Sequence, residues 1–76
     1  MPRFYFDIRD GENYISDEVG LEFPSLKSAR DNASSSLAEI MKDALPDVVQ
    51  YEVSVEVRGE GEILFRARIT FEATPV

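Results

Sequence analysis

Residues 3–9, RFYFDIR, alternate from side to side: Phe4, Phe6 and Ile8 against Arg3, Tyr5, Asp7 and Arg9. A period of two is that of a half-buried strand. Asp10-Gly11 then supplies turn chemistry, since Asp accepts local backbone hydrogen bonds and Gly tolerates positive φ. Residues 14–16, YIS, predict a short return strand, and with it a hairpin. Asp17-Glu18-Val19-Gly20 suits a type I turn, with Asp first and Gly fourth. After Pro24 the period changes. Ser25 is a good N-cap, and from Leu26 the apolar residues fall at 26, 29, 33, 37, 40, 41, 44 and 45. Spacings of three and four mark one face of an amphipathic helix of about five turns. The first half of that stripe is small (Ala29, Ala33, Ser36), so it should approach its cover closely. Pro46 stops the helix.

Two further runs alternate. In 51–58, YEVSVEVR, Tyr51, Val53, Val55 and Val57 share a side; in 63–72, ILFRARITFE, Ile63, Phe65, Ala67, Ile69 and Phe71 do. GEGE joins them, and a common apolar face requires paired residue numbers with an even sum. A three-residue loop at Gly59-Glu60-Gly61 satisfies this and puts Gly61 at the left-handed position. It sets Arg58 opposite Glu62, Glu52 opposite Arg68 and Val55 opposite Phe65. The expected fold is α+β with element order β-β-α-β-β. Its four-stranded, mainly antiparallel sheet has the order 2-1-3-4, with the helix on one face and charge on the other. Residues 1–76 read as a single small domain.

Composition narrows the chemistry more than it narrows the fold. The chain has 76 residues and neither Cys nor His, so it lacks a thiolate nucleophile, a zinc–thiolate site and the usual base near neutral pH. The net charge of −7 disfavours general nucleic-acid binding. No apolar run approaches the roughly 20 residues that cross a bilayer, and a cytoplasmic location is expected. Asp10, Asp17 and Glu18 could in principle meet a hard cation, but their spacing matches no calcium loop and turns are routinely acidic. An enzyme could gather Asp7, Asp10 and Asp17 around a metal; nothing in their spacing makes them converge. No catalytic, cofactor-binding or metal residue is assigned, and no cofactor is expected.

The N-terminal MPRFYFDIRDG, the D-E-x-G turn and the F-P-S-L-x-x-A-R-x-x-A helix start resemble a family of short proteins common in alphaproteobacteria, including rhizobia. So do the A-L-P-D helix end and the E-V-R and T-F-E strands. That family is a domain of unknown function, so the resemblance implies a small single domain and no catalytic residue. The leading hairpin, acidic turn and Ala-rich helix are also similar in architecture to the N-terminal domain of HicB-type antitoxins. That likeness implies a protein that works by binding a dedicated protein partner. The expected function is thus a non-catalytic interaction or regulatory module, with an antitoxin-like subunit as the alternative. The partner is another protein or a second copy, as a homodimer. On the face away from the helix, Arg3, Tyr5, Arg9, Leu64, Arg66 and Arg68 are the candidate contacts, because Tyr and Arg often carry interface energy. A solvated charged face would look the same.

Overall fold

The computed structural model describes all residues from Met1 to Val76. Strand β1 (Arg3–Asp10) turns at Gly11 into β2 (Asn13–Ile15); an acidic turn then leads to β3 (Leu21–Glu22). Helix α1 (Leu26–Ala44) and one 3-10 turn (Leu45–Asp47) follow, and the long hairpin β4 (Gln50–Arg58) and β5 (Ile63–Glu72) completes the chain. All pairings are antiparallel, in the order β2-β1-β4-β5, with β3 also on β1. This is the expected α+β arrangement and strand order, with one element added. The two-residue β3 is too short to carry a period, so sequence alternation could not reveal it.

The helix forms where capping and periodicity agree. The Ser25 hydroxyl accepts the Ser28 N–H at 3.2 Å, and Lys42 lies in the last turn, where a cation suits the helix dipole. Ala29 and Ala33 are fully buried, and with Leu37 and Met41 they cover Phe4, Val53, Val55 and Val57. Phe23 closes the end of this layer, with its ring 6.4 Å from Phe4 and 5.9 Å from Phe6. The core is thin. The chain's radius of gyration, 13.6 Å, exceeds the roughly 11 Å of a compact chain of this length.

The β4–β5 hairpin corrects the expected register. Val57 faces Phe65, Glu56 faces Arg66 and Ser54 faces Arg68, so directly paired numbers sum to two more than expected. Arg58 faces Ile63 rather than Glu62, and the register shifts between Val57 and Arg58. The cause is a bulge at Leu64. A Cβ on Gly59 would lie 2.8 Å from Leu64 Cδ1, so the tip of the leucine packs closely over the glycine. Gly61 does take the left-handed conformation, with φ +84°.

Candidate functional site

In an antiparallel pair, successive residues aim their backbone groups alternately at one neighbour and then the other. Gly11 N–H donates to the Glu52 carbonyl and Ala73 N–H to the Val49 carbonyl. On β1, therefore, odd-numbered residues bond to β4 and even-numbered ones aim away from it. On β5, odd-numbered residues bond to β4, while Arg66, Arg68, Thr70 and Glu72 aim their N–H and C=O groups outward. These two outward rows meet different fates.

The β1 row is sealed along its length. Asp10 and Ile8 fall within the β2 ladder, and Phe4 pairs with Leu21 of β3. Between them Phe6 has no strand opposite, and its N–H donates instead to Asp17 Oδ2 at 3.0 Å. The same carboxylate accepts the N–H groups of Val19 and Gly20 through Oδ1, each at 3.0 Å. A side chain thus replaces a strand for one rung. Burial pushes the Asp17 carboxyl upward, but the Gly20, Phe6 and Val19 donors outweigh it and hold it below its usual value.

Asp7 anchors this turn from beneath. The Arg58 guanidinium grips its carboxylate from both ends, Nε to Oδ2 at 2.6 Å and an Nη to Oδ1 at 3.1 Å. Arg58 also donates to the Asp17 carbonyl at 2.8 Å, and Asp17 N–H donates to Asp7 Oδ1 at 2.9 Å. Asp7 is 3% exposed. The Arg58 hydrogen bonds, against the cost of burial, hold its carboxyl below the ordinary range; Asp7 in turn raises Arg58. This corrects the sequence pattern, which set Asp7 on a wet outer face. The acidic turn lies over that face and buries it. Asp7 and Asp17 do come together, but with a guanidinium and backbone N–H groups filling their oxygens. No group of three His, Cys, Asp or Glu side chains gathers in metal-binding geometry.

The candidate contact residues divide between the two regions. Arg3 donates to the Val19 carbonyl at 2.9 Å, and the Tyr5 ring lies 5.0 Å beneath the Arg58 guanidinium. Both hold the acidic turn. In addition Gly20, at φ +76°, leaves no room for a Cβ, which would meet Arg3, Tyr5 and the Phe4 carbonyl at 2.9–3.0 Å. Leu64 caps Gly59 at the far hairpin end. Arg9, Arg66 and Arg68 are brought together, with Glu52, Ser54 and Glu56, around an open groove of about 420 Å³ on the outer face. Arg66 pairs with Glu56 directly across the ladder, and Arg68 lies 3.9 Å from Glu52 on the diagonal. Asp7, Asp17 and Arg58 were missed as a unit. The available signal was an Asp three residues before a glycine, with an Arg at the end of the strand that neighbours β1.

The β5 row has no cover at all. It is an edge strand of ten residues, with no proline among them. On its inner side a second groove, of about 590 Å³, opens between the strand and the end of the helix, lined by Ala38, Met41, Lys42, Leu45, Pro46 and Ile69.

A family profile described as a domain of unknown function, DUF6894, matches residues 3–70. The chain belongs to the DUF6894 family. The match runs from the start of β1 nearly to the end of β5, so the DUF6894 domain includes both sheet edges and the whole Asp7–Arg58–Asp17 network. Comparison with curated proteins and with solved structures gives no match. No helix is long and apolar enough to cross a membrane.

Proposed function

We propose that this domain acts by binding protein, not by catalysis, and that it does so along β5 and the charged groove beside it. The observation that carries this is the difference between the two outward rows of backbone groups. In one, every N–H has an acceptor, down to a single carboxylate at Phe6. The other, on a ten-residue strand paired on one side only, leaves the outward groups of Arg66, Arg68, Thr70 and Glu72 without a partner. A bare edge of that length is a template for an added strand: main-chain hydrogen bonds give affinity and alternate side chains give specificity. Arg66 and Arg68 would supply the side-chain contacts on the outer face, and Leu64 stands at the end of the same strand. The two buried or half-buried carboxylates support a non-catalytic role. Their pKa values are held down and their oxygens are occupied, whereas a general acid or base needs a pKa near the working pH and a free oxygen.

A photo-crosslinking residue placed at Arg68, in the native host, tests this. An adduct of any mass that is absent when the same residue replaces Glu39, exposed on the helix, is the expected result. No adduct above the Glu39 control would overturn the proposal.

A further inference from the structure

The occupant of the β5 edge can be argued from its own side chains. We infer that it is a second copy of this chain, with β5 pairing antiparallel to β5 about a two-fold axis at Ile69. This rests on the edge-binding function proposed above and names its partner. A two-fold requires that residue i face the partner's residue j and the reverse, so one number, the sum of i and j, defines each arrangement. The sum must be even to keep Phe65, Ala67, Ile69 and Phe71 on one face. Five even sums, with axes from Arg66 to Thr70, keep at least half of β5 paired, and the charges separate them; with the axis at Arg66, that residue faces its own copy.

With the axis at Ala67, Arg66 faces the partner's Arg68. With it at Arg68, that residue faces its own copy. Like charges directly opposite are destabilising. With the axis at Ile69, Arg66 faces the partner's Glu72 and Arg68 faces the partner's Thr70, each twice by symmetry. Both pairs belong to the row whose backbone groups aim outward, so the same rungs form main-chain hydrogen bonds. With the axis at Thr70, Arg68 meets the partner's Glu72, but Arg66 passes beyond the end of the partner's strand and a rung is lost. The Ile69 axis alone combines opposite charges with pairing of every outward residue from Arg66 to Glu72. Glu56 already pairs with Arg66 within the chain, so each arginine would lie between two carboxylates across three adjacent strands.

The inner face agrees independently. A two-fold perpendicular to the sheet places both helices on one side. Ile69 is the sheet residue that lines the open apolar groove, and it lies on the axis. The two grooves therefore merge over the Ile69–Ile69 contact, flanked by Met41 and Leu45 of each copy. Both open features of this edge, unpaired backbone and uncovered apolar side chains, close in the same step.

Sedimentation equilibrium of the full chain, from micromolar to several hundred micromolar, should give a species of twice the 8.6 kDa chain mass. Glu72→Arg should weaken that dimer about tenfold or more, as two opposite-charge contacts become repulsive, and adding Arg66→Glu should restore it. The native chain has no cysteine, so single-cysteine variants report the axis. Across a non-hydrogen-bonded antiparallel pair the Cα atoms lie about 4.5 Å apart, within disulfide range. Ile69→Cys should oxidise to a covalent dimer, and much faster than Thr70→Cys. A monomer at every concentration would overturn the proposal. So would a dimer in which Thr70→Cys oxidises the faster, or one indifferent to Glu72→Arg. A monomer whose Arg68 crosslinker still captures a different protein would overturn self-pairing alone and leave edge binding standing.

Discussion

The two edges of this sheet face the same physical problem and answer it in opposite ways. At β1, every outward N–H from Phe4 to Asp10 falls in a short strand's ladder or donates to the Asp17 carboxylate. At β5, none from Arg66 to Glu72 has a cover. The sealing is costly to build. It requires a buried acid, a glycine that tolerates no Cβ, and three further side chains, Arg3, Tyr5 and Arg58, engaged on one turn. A chain that commits so much beside β1 and no covering segment to β5 leaves β5 open to the pairing proposed above. In a domain with a thin core, the proposed interface would also supply burial that the isolated fold lacks.

The largest effect that can break this contrast is removal of Asp7. Asp7→Ala leaves Arg58 without its carboxylate and the Asp17 N–H without an acceptor. One partner is buried and the other is about one-third exposed, so the loss should be about 2–4 kcal/mol. In a domain this small that is a large share of the total. Urea unfolding followed by circular dichroism measures it. A variant as stable as the parent would mean that the acidic turn does not hold the edge.

Asp17→Ala removes one side chain from three backbone N–H groups and should cost about 1–2 kcal/mol. Its signature is local. Amide exchange at Phe6 should accelerate well before exchange at Val55, deep in β4. The variant also gives β1 a bare rung, which makes the two edges more alike.

Acid acts on the same network. The folded carboxyls of Asp7 and Asp17 lie below their ordinary value of 3.8, so at low pH the unfolded chain binds more protons than the folded one. Their contribution is fully present above that value and is lost as pH falls through the lower folded values. The melting temperature of the parent should hold above about pH 5 and drop steeply below about pH 4. Asp7→Ala should flatten that drop. An equal slope in parent and variant would place the acid sensitivity elsewhere.

Much of this molecule was legible in advance because β1, β4, β5 and α1 each carry a clean period, and period alone sets which side chains face the core. Strand order followed from requiring antiparallel neighbours. The hairpin register did not, because ILFRARITFE alternates without a break. Only Leu64, apolar at a polar position, hinted that the strand bulges to lay that side chain on Gly59. Asp7 was misplaced for a related reason. A period of two says which face a residue is on, never whether another segment lies over that face. The seal at Phe6 depends on a contact between residues eleven positions apart, made by a side chain standing in for a strand, and no alternation encodes it. The bare edge of β5 was readable, since the expected order 2-1-3-4 puts that strand outermost and no proline interrupts its ten residues.

The smallest expected effect is at the bare edge, and it is the sharpest test of the difference. Thr70 aims its N–H away from β4, so Thr70→Pro deletes a donor that the lone chain does not use. Proline is tolerated in strands where its missing N–H faces solvent. At dilution the unfolding midpoint should move by no more than about 0.5 kcal/mol equivalent. Ile69→Pro, one residue away, removes a bond of the β4 ladder and should be severely destabilising. The paired variants separate the edge's two sides within a single step of the chain. Similar losses from both would mean that the outward row is already bonded within one copy, and the asymmetry between β1 and β5 would vanish. A silent Thr70→Pro at dilution that nonetheless abolishes association at high concentration would show that the outward donors serve only a second strand.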